Sequence, residues 1–328
     1  MLAPGSMDRR SFLGRGSAMA AGLSSWASHA RSASAGPAGN AVAPATVPPT
    51  ESLQGLSTYQ LGPQLWVRWN NRLAACYRAH RSQKFPYLFP LAGPASGLSL
   101  TSESSLPYPH HRSNYFACDR VLGGNYWQEG LEKGQILSVG PRWGAVTPTS
   151  VEILDACEWR VGENPAVMKD RRMLRLSFAS PRLRFVDWEI EWTALVDLAI
   201  PKTNHSLFAI RGADDIVPAG GGTLVNAEAA TGEKGTFGKA SAWCAFHGDR
   251  PGGVHEGIAL FDHPGNPWSP CPWFTRDYGF LSPTPLDFRT EPLPFKAGQR
   301  FRLRYRLVLF AGTPSEADLP ALHRAWAA

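Results

Sequence analysis

Residues 185–192 read Phe-Val-Asp-Trp-Glu-Ile-Glu-Trp, and from residue 186 onward apolar and acidic side chains alternate. Successive side chains of a strand point to opposite faces of a sheet. The pattern therefore predicts a strand with one face in a core and the other in water. Residues 301–307, Phe-Arg-Leu-Arg-Tyr-Arg-Leu, repeat the alternation with arginine on the polar face. A row of arginines in this setting is typical of a solvated sheet face. Together the two segments favour antiparallel β-sheet as the basis of the fold.

Strand signals extend on both sides of these segments, and an Asn70-Asn71 pair marks a hairpin turn between the first two candidates. One helix is predicted at residues 317–327, after a start signal at residues 313–316. We therefore expect an all-β fold, a large antiparallel β-sandwich of the supersandwich or jelly-roll kind, with a short C-terminal helix. The further strand candidates are residues 64–69, 73–79, 87–91, 134–139, 151–160, 172–178, 183–197, 206–211, 236–246 and 257–261.

The composition agrees with a folded, turn-rich protein. Of 328 residues, 32 are glycine and 28 proline, which argues against an all-helical chain, while 12 tryptophans and 16 phenylalanines supply apolar surface for a core. No run of about 18 apolar residues is present, so no membrane span is expected.

The first 35 residues have the layout of a bacterial twin-arginine signal peptide. Arg9-Arg10 precede Phe12 and Leu13, a weakly apolar stretch follows, and small residues at 33–35 offer a cleavage site. The alternative is a disordered basic tail. The signal predicts export by the twin-arginine machinery to the periplasm or beyond. We divide the chain into signal peptide 1–35, flexible leader 36–55 and a single β-sandwich domain 56–328.

Much of the positive charge belongs to this signal. Removing four arginines and one aspartate with residues 1–35 lowers the formal net charge from +6 to +3. The remaining arginines are scattered and do not form the basic face that a phosphate backbone needs, so no nucleic-acid partner is expected.

Five cysteines remain after the signal: Cys76, Cys118, Cys157, Cys244 and Cys271. An oxidising compartment permits one disulfide, and the odd number leaves at least one thiol. No pair has zinc-site spacing, so we favour buried thiols.

Six of the nine histidines fall in turn-rich regions, where loops carry binding and catalytic residues. His110-His111-Arg112 follows two prolines that stiffen the loop. On an extended chain adjacent side chains point opposite ways, so at most one of the two imidazoles would face a pocket. An imidazole with a pKa near neutrality serves as acid, base or metal ligand. The remaining four of these six histidines are His205, His247, His255 and His263.

A second candidate cluster lies near residue 270. Asp262-His263 ends an apolar run and a turn containing Asn266 follows; adjacency makes a direct Asp–His pair awkward, so each should have another partner. Trp273 precedes Arg276-Asp277, and an aromatic face beside planar hydrogen-bonding groups suits a sugar ring. The alternative is an aromatic packing corner with surface charge.

Several other chemistries lack their motifs. The chain has no Gly-x-Ser-x-Gly elbow, P-loop, dinucleotide glycine turn or His-Glu-x-x-His helix. No cofactor is certain, although separated histidines on strands could hold a divalent metal.

Several segments resemble an exported bacterial family named "methane oxygenase PmoA", over most of residues 57–326. The name implies a membrane monooxygenase subunit, yet this chain has no apolar span. The resemblance implies instead a β-sandwich protein of bacterial sugar-processing systems, often near sugar oxidoreductases. The matching segments are residues 85–91, 109–113, 186–189, 242–244, 257–264, 266–267, 273–279 and 303–306.

These observations lead to one main hypothesis and two alternatives. The main hypothesis is a periplasmic carbohydrate-active enzyme, hydrolase-like or lyase-like, that cleaves or rearranges a glycoside or an oxidised (keto) sugar. Its substrate is a small molecule or an oligosaccharide. The alternatives are a non-catalytic sugar-binding module and a metal-dependent histidine site. The expected acid–base groups are His110, His111, His263, Asp262 and Asp277, and the expected substrate-binding groups are Arg112, Arg276, Trp273, Asn266 and His205.

Overall fold

The computed structural model describes residues 54–128 and 130–328. The expected signal peptide and the expected leader up to residue 53 lie outside the described residues. The helices are α1 (Gly232–Thr236) and α2 (Leu319–Ala327), with 3-10 turns at Leu131–Lys133 and Pro218–Gly220. The strands are β1 (Leu56–Leu61), β2 (Gln64–Trp69), β3 (Arg72–Arg78), β4 (Tyr87–Leu91), β5 (Asn114–Cys118), β6 (Gln135–Ser138), β7 (Arg142–Val146), β8 (Ser150–Arg160), β9 (Met168–Ser180), β10 (Leu183–Ala194), β11 (Leu198–Ile200), β12 (Ser206–Arg211), β13 (Thr223–Asn226), β14 (Trp243–Arg250), β15 (Val254–Asp262), β16 (Trp273–Arg276), β17 (Phe280–Pro283), β18 (Leu293–Phe295) and β19 (Arg300–Ala311).

Two large antiparallel sheets confirm the predicted all-β sandwich. The eight-stranded sheet has the order β1-β2-β3-β4-β5-β12-β17-β16. The nine-stranded sheet has the order β13-β14-β15-β19-β10-β9-β8-β6, with β7 beside β8, and β11 pairs with β18. The short C-terminal helix, α2, is also present.

The two segments that predicted the fold are neighbours in the nine-stranded sheet. In the β10–β19 pair, Trp188 lies opposite Tyr305 and Asp187 opposite Arg306. Trp188 and Tyr305 are buried, whereas the Arg306 guanidinium donates to both Asp187 oxygens, at 2.6 and 2.9 Å. The arginine row is thus the outer face of this sheet, and the acidic row of β10 partly neutralises its charge.

The core lies between the two sheets. The ring of Phe208 on β12 stacks on Tyr305 of β19, with centroids 4.4 Å apart. Phe116 on β5 meets the ring of Trp192 on β10 edge-on at 5.5 Å. Each of these rings buries a large apolar area, so the contacts between them stabilise the packing of one sheet on the other.

A buried ion pair lies on the inner face of the nine-stranded sheet, between two residues of β9. The Arg172 guanidinium donates to both oxygens of Asp170 at 2.7 Å, and both side chains are fully buried. The Trp159 indole N–H donates to the same carboxylate at 2.7 Å. These bonds offset part of the cost of burying the two charges, although Nη1 of Arg172 has no hydrogen-bond partner among the described residues.

Several element boundaries differ from the prediction. The segment expected as a strand from residue 236 begins only at Trp243, because residues 232–236 form α1. Helix α2 begins at Leu319 rather than at residue 317, where the Asp318 carboxylate caps the Ala321 N–H at 3.1 Å. Thr313 and Glu316 do bond each other, but they close a separate turn before the helix.

All five cysteines are buried and unbridged. Within the described part of the chain, no helix has the length and apolar character needed to cross a bilayer.

Candidate functional site

A pocket of about 130 Å³ opens on the eight-stranded sheet, on the face away from the sandwich core. It combines residues of one loop, of β16 and β17, and of the segment before β12. Its lining consists of Tyr108, His110, His111, Asn204, His205, Phe274, Arg276, Tyr278 and Phe280.

The loop between β4 and β5 delivers two of the histidines. Its arms are braced by hydrogen bonds from Ser113 N to Ser102 O (2.9 Å) and from Ser104 N to His111 O (3.1 Å). Both imidazoles line the pocket, with ring centroids 4.5 Å apart. The expectation that only one would face it is wrong, because the chain is turned rather than extended here: His111 N donates to Tyr108 O at 3.0 Å.

Strand β16 sends alternate side chains to opposite faces. Phe274 and Arg276 line the pocket. Trp273 points the other way, is fully buried, and donates its indole N–H to Ser241 O at 2.9 Å. The proposed stacking role of Trp273 is therefore corrected: its ring belongs to the core, and Phe274 presents the aromatic surface from this strand.

His205 enters the pocket as part of an Asp–His pair. Its Nδ1 lies 3.2 Å from Oδ2 of Asp119, and Oδ1 of the same carboxylate accepts a hydrogen bond from the Thr203 hydroxyl. A carboxylate only accepts, so the proton of His205 is placed on Nδ1. Nε2 is left as the ring nitrogen available to a ligand.

His111 is the most deeply buried imidazole of the pocket, at 4% exposed. Burial lowers its pKa to about 2, and the neighbouring His110, Arg211 and His205 act in the same direction. His111 is therefore neutral at physiological pH. Its Nδ1 is buried and has no hydrogen-bond partner among the described residues.

Two other groups set the polarity of the pocket. Burial raises the pKa of Tyr278 to about 12, so its hydroxyl keeps its proton at neutral pH. The guanidinium of Arg211 lies 4.8 Å from the centre of the Tyr278 ring, behind the pocket. The pocket therefore presents hydrogen-bond donors and neutral imidazole together.

Arg276 is fixed from behind by α1. Its Nη1 donates to Glu233 Oε1 at 3.2 Å and to Thr275 O at 3.0 Å. Asp277 faces the same helix: its Oδ1 accepts from Glu233 N at 2.7 Å. The expected acid–base role of Asp277 is corrected accordingly, because this carboxylate holds α1 and does not line the pocket.

The Asp262-His263 cluster lies on the nine-stranded sheet, under α2. Asp262 accepts from the Asn266 amide at 2.7 Å, and His263 Nδ1 accepts from Gly265 N at 2.9 Å, so each has its own partner as expected. The His263 ring meets Trp326 edge-on at 4.9 Å. Burial raises the pKa of Asp262 to about 6. None of Asp262, His263 and Asn266 lines the pocket, which corrects their grouping with His110 and His111.

Arg112 also points elsewhere. Its Nη1 donates to the Gln83 side chain at 3.2 Å, and its guanidinium lies 5.8 Å from the centre of the Tyr87 ring. It lies next to His111 in the chain yet does not line the pocket.

His247 and His255 form a separate pair on the nine-stranded sheet. Nδ1 of His247 lies 2.9 Å from Nε2 of His255, whose Nδ1 lies 2.7 Å from Asp249 Oδ1. Burial lowers the pKa of His247 to about 4. Over residues 54–128 and 130–328, no three histidine, cysteine or carboxylate side chains gather as a metal ion requires.

The sequence singled out His110, His111, His205 and Arg276, which the structure brings together. It missed Asp119, Asn204 and the aromatic residues Tyr108, Tyr278 and Phe280. Strict alternation along residues 273–276 would have separated Trp273 from Arg276. Nothing in the sequence pairs Asp119 with His205, because their contact depends on the antiparallel pairing of β5 with β12.

Comparison with known proteins gives a family and no established activity. No curated protein matches the chain. Among solved structures, a "Putative kojibiose phosphorylase from human microbiome" aligns with 76% of this chain and 31% of its own, at 9% identity and a TM-score of 0.33. This chain thus spans about a third of that protein. The sequence profile of DUF6807, a family of unknown function, matches residues 64–324, and the chain therefore belongs to the DUF6807 family.

Proposed function

We propose that the protein is an exported carbohydrate-active enzyme whose pocket cleaves or rearranges a glycoside or a keto sugar by histidine acid–base chemistry. One observation carries the proposal: His110, His111 and His205 line a single pocket together with Arg276 and Tyr278. The resemblance of residues 85–91 and 257–264 to the PmoA-named family supports a sugar-processing setting. The twin-arginine pattern supports action in the periplasm.

We assign different proton roles to the groups of the pocket. Nε2 of His205 is the base, and Asp119 stabilises the imidazolium that His205 becomes when it takes a proton. His111, whose pKa is about 2, stays neutral and serves as a hydrogen-bond partner for the substrate. Tyr278 keeps its proton and is the donor. A pair of carboxylates, as most glycosidases use, is not part of the lining, so proton transfer falls to the imidazoles.

A keto sugar shows how these groups would act. The base removes a proton from the carbon beside the carbonyl, and the electron pair moves to the carbonyl oxygen, where Arg276 stabilises the enolate. Where the first carbon bears a hydroxyl, its O–H proton passes to the enolate oxygen and the base returns its proton to the former carbonyl carbon, so the carbonyl moves by one carbon and the sugar is rearranged. Expulsion of the glycosidic oxygen from the adjacent carbon, with a proton from Tyr278, gives cleavage without water.

Turnover by histidine variants tests this function. The full chain is incubated with a panel of 4-nitrophenyl glycosides and their chemically oxidised keto forms, and products are identified by mass spectrometry. We expect His205→Asn and His111→Asn to lower kcat at least about 100-fold. His80→Asn is the matched control, because His80 is exposed and bonds only locally to Ser82.

Two results would change the assignment. Normal turnover by both pocket variants would show that the histidines do not carry the reaction. Sugar binding without turnover of any compound in the panel would favour a non-catalytic sugar-binding module, which would use the same aromatic rings and Arg276.

A further inference from the structure

The nine side chains that line the pocket include no carboxylate, and their one permanent charge is the guanidinium of Arg276. Tyr278 adds a hydroxyl that stays protonated at neutral pH. A lining that offers the Arg276 and Tyr278 donors and contains no carboxylate is complementary to a ligand that is itself negative.

Arg276 is positioned to offer hydrogen bonds to a ligand. Its guanidinium packs 4.1 Å from the ring centre of Phe274 and 4.5 Å from that of Phe237. Only Nη1 makes hydrogen bonds within the described chain, to Glu233 and to the Thr275 carbonyl. The N–H groups of Nε and Nη2 make no hydrogen bond to the described residues and can bind a ligand. The side chain is 26% exposed. The planar fork of arginine suits an oxyanion better than a point charge does.

Arg211 adds positive potential behind the pocket. It is 2% exposed, and Asp214, the acid that pairs with it, lies as far as 3.8 Å from Nη2. Its Nε and Nη1 have no hydrogen-bond partner among the described residues. A buried cation with so little compensation favours an anion nearby.

We infer that the sugar bound in this pocket carries an anionic group, a carboxylate or a phosphate, which Arg276 holds at the pocket mouth. The inference rests on the proposed function, because it takes the pocket to be the sugar site. A cavity of about 130 Å³ holds less than the roughly 300–1,000 Å³ sites of drug-sized ligands, so it takes one end residue of the sugar.

The Arg276–Glu233 contact has a second explanation, a plain surface ion pair, and a substitution of Glu233 tests which explanation holds. If the pocket took a neutral sugar, the Arg276–Glu233 pair would be only a surface ion pair, and removing Glu233 would not strengthen ligand binding. If Arg276 holds an anion, Glu233 competes for the same guanidinium. Glu233→Gln should then increase the affinity for an anionic sugar, whereas Arg276→Gln should decrease it.

The experiment is calorimetric titration of the full chain with D-glucuronate, D-glucose 6-phosphate and D-glucose. We expect at least one of the two anionic sugars to bind at least about 10-fold more tightly than glucose, the gain of a charge-assisted hydrogen bond. The tighter of the two identifies the anion as carboxylate or phosphate. Arg276→Gln should abolish the preference, and Arg276→Lys should retain part of it. Arg171→Gln, an exposed arginine on the nine-stranded sheet, is the matched control and should leave the preference intact.

Equal affinity for glucose and both anionic sugars, or no binding of any of them, would overturn the inference. So would a Glu233→Gln variant that binds the anionic sugar no better than the unmodified chain. Thermal melting confirms that each variant is folded, and the opposite signs expected for the Glu233 and Arg276 variants exclude a common folding defect. Turnover of a neutral glycoside with no anion preference would leave the proposed function standing. An anion preference without turnover of any glycoside would support the inference and contradict the proposed enzymatic activity.

Discussion

The Nδ1 atom of His205 lies 3.2 Å from Oδ2 of Asp119, a carboxylate that is only 4% exposed. This contact fixes which nitrogen of the ring carries the proton. It also joins β5, which ends just before Asp119, to the segment that enters β12. The pocket thus holds an imidazole oriented by a buried carboxylate, an arrangement that the sequence alone does not reveal.

Replacing Asp119 by Asn should impair catalysis more than binding. The amide can donate to Nδ1 and thereby favour the wrong tautomer of His205, so we expect kcat to fall at least about 100-fold with little change in KM. Steady-state kinetics and the ¹⁵N shifts of the imidazole measure both effects. Asp249→Asn, which alters the Asp–His contact on the other sheet, is the control and should leave both kinetic constants unchanged. An unchanged kcat in Asp119→Asn would remove His205 as the oriented base.

His111 should make the fold acid-sensitive. Its folded-state pKa of about 2 lies below the unfolded value near 6.5, so the unfolded chain binds the proton more readily. The stabilisation that comes from keeping His111 neutral in the folded state is fully present above pH 6.5, and it is lost as the pH falls from 6.5 towards 2. Between pH 7 and pH 5 the loss from this one group is on the order of 2 kcal/mol.

Urea unfolding at pH 7 and pH 5 measures this loss. His111→Gln, which is neutral at both values, should show a smaller loss than the unmodified chain. A residual slope is expected from His247, whose pKa of about 4 acts in the same direction over the upper part of the range. An identical pH dependence in His111→Gln and the unmodified chain would show that His111 is not buried in its neutral form.

The Asp170–Arg172 pair should matter for stability and not for the pocket. Asp170→Ala leaves the Arg172 guanidinium buried without its anion, which costs about 3–5 kcal/mol. Exchanging both residues together, as Asp170→Leu with Arg172→Met, should cost less than the single change, because the buried guanidinium is removed together with its anion. Denaturant unfolding compares the two variants. A double variant less stable than Asp170→Ala would contradict this account of the pair.

The sequence predicts the fold better than it predicts the site, for a physical reason. Alternation along β10 and β19 is a local pattern, since Trp188 and Glu189 must face opposite sides wherever the strand lies. The pocket instead depends on which strands become neighbours. His205 and Asp119 are 86 residues apart and meet only because β5 pairs with β12. Asp262-His263, conspicuous in sequence, ends a strand of the other sheet.

Trp273, whose ring is in the core, and Tyr278, which lines the pocket from the turn after β16, give opposite expectations. Trp273→Phe keeps a core ring but loses the bond to Ser241 O, so we expect a loss of about 1 kcal/mol in stability and no change in sugar affinity. Tyr278→Phe removes a pocket hydroxyl and should weaken turnover with little effect on stability. Thermal unfolding and kinetics on both variants measure the contrast. A weaker sugar affinity in a folded Trp273→Phe would restore the stacking role.

Variants of His263 and His111 test whether His263 takes part in the reaction, as the sequence pattern predicts, or only packs against α2, as the structure indicates. The sequence pattern predicts an acid–base role for both, whereas in the structure His263 packs against Trp326 of α2. His263→Ala should therefore lower the melting temperature by loosening α2 and leave kcat per folded molecule unchanged. His111→Asn should instead lower kcat per folded molecule while changing the melting temperature less. If His263→Ala abolishes turnover while circular dichroism and melting remain normal, a second histidine site on the nine-stranded sheet takes part in the reaction, and the pocket alone is not the active site.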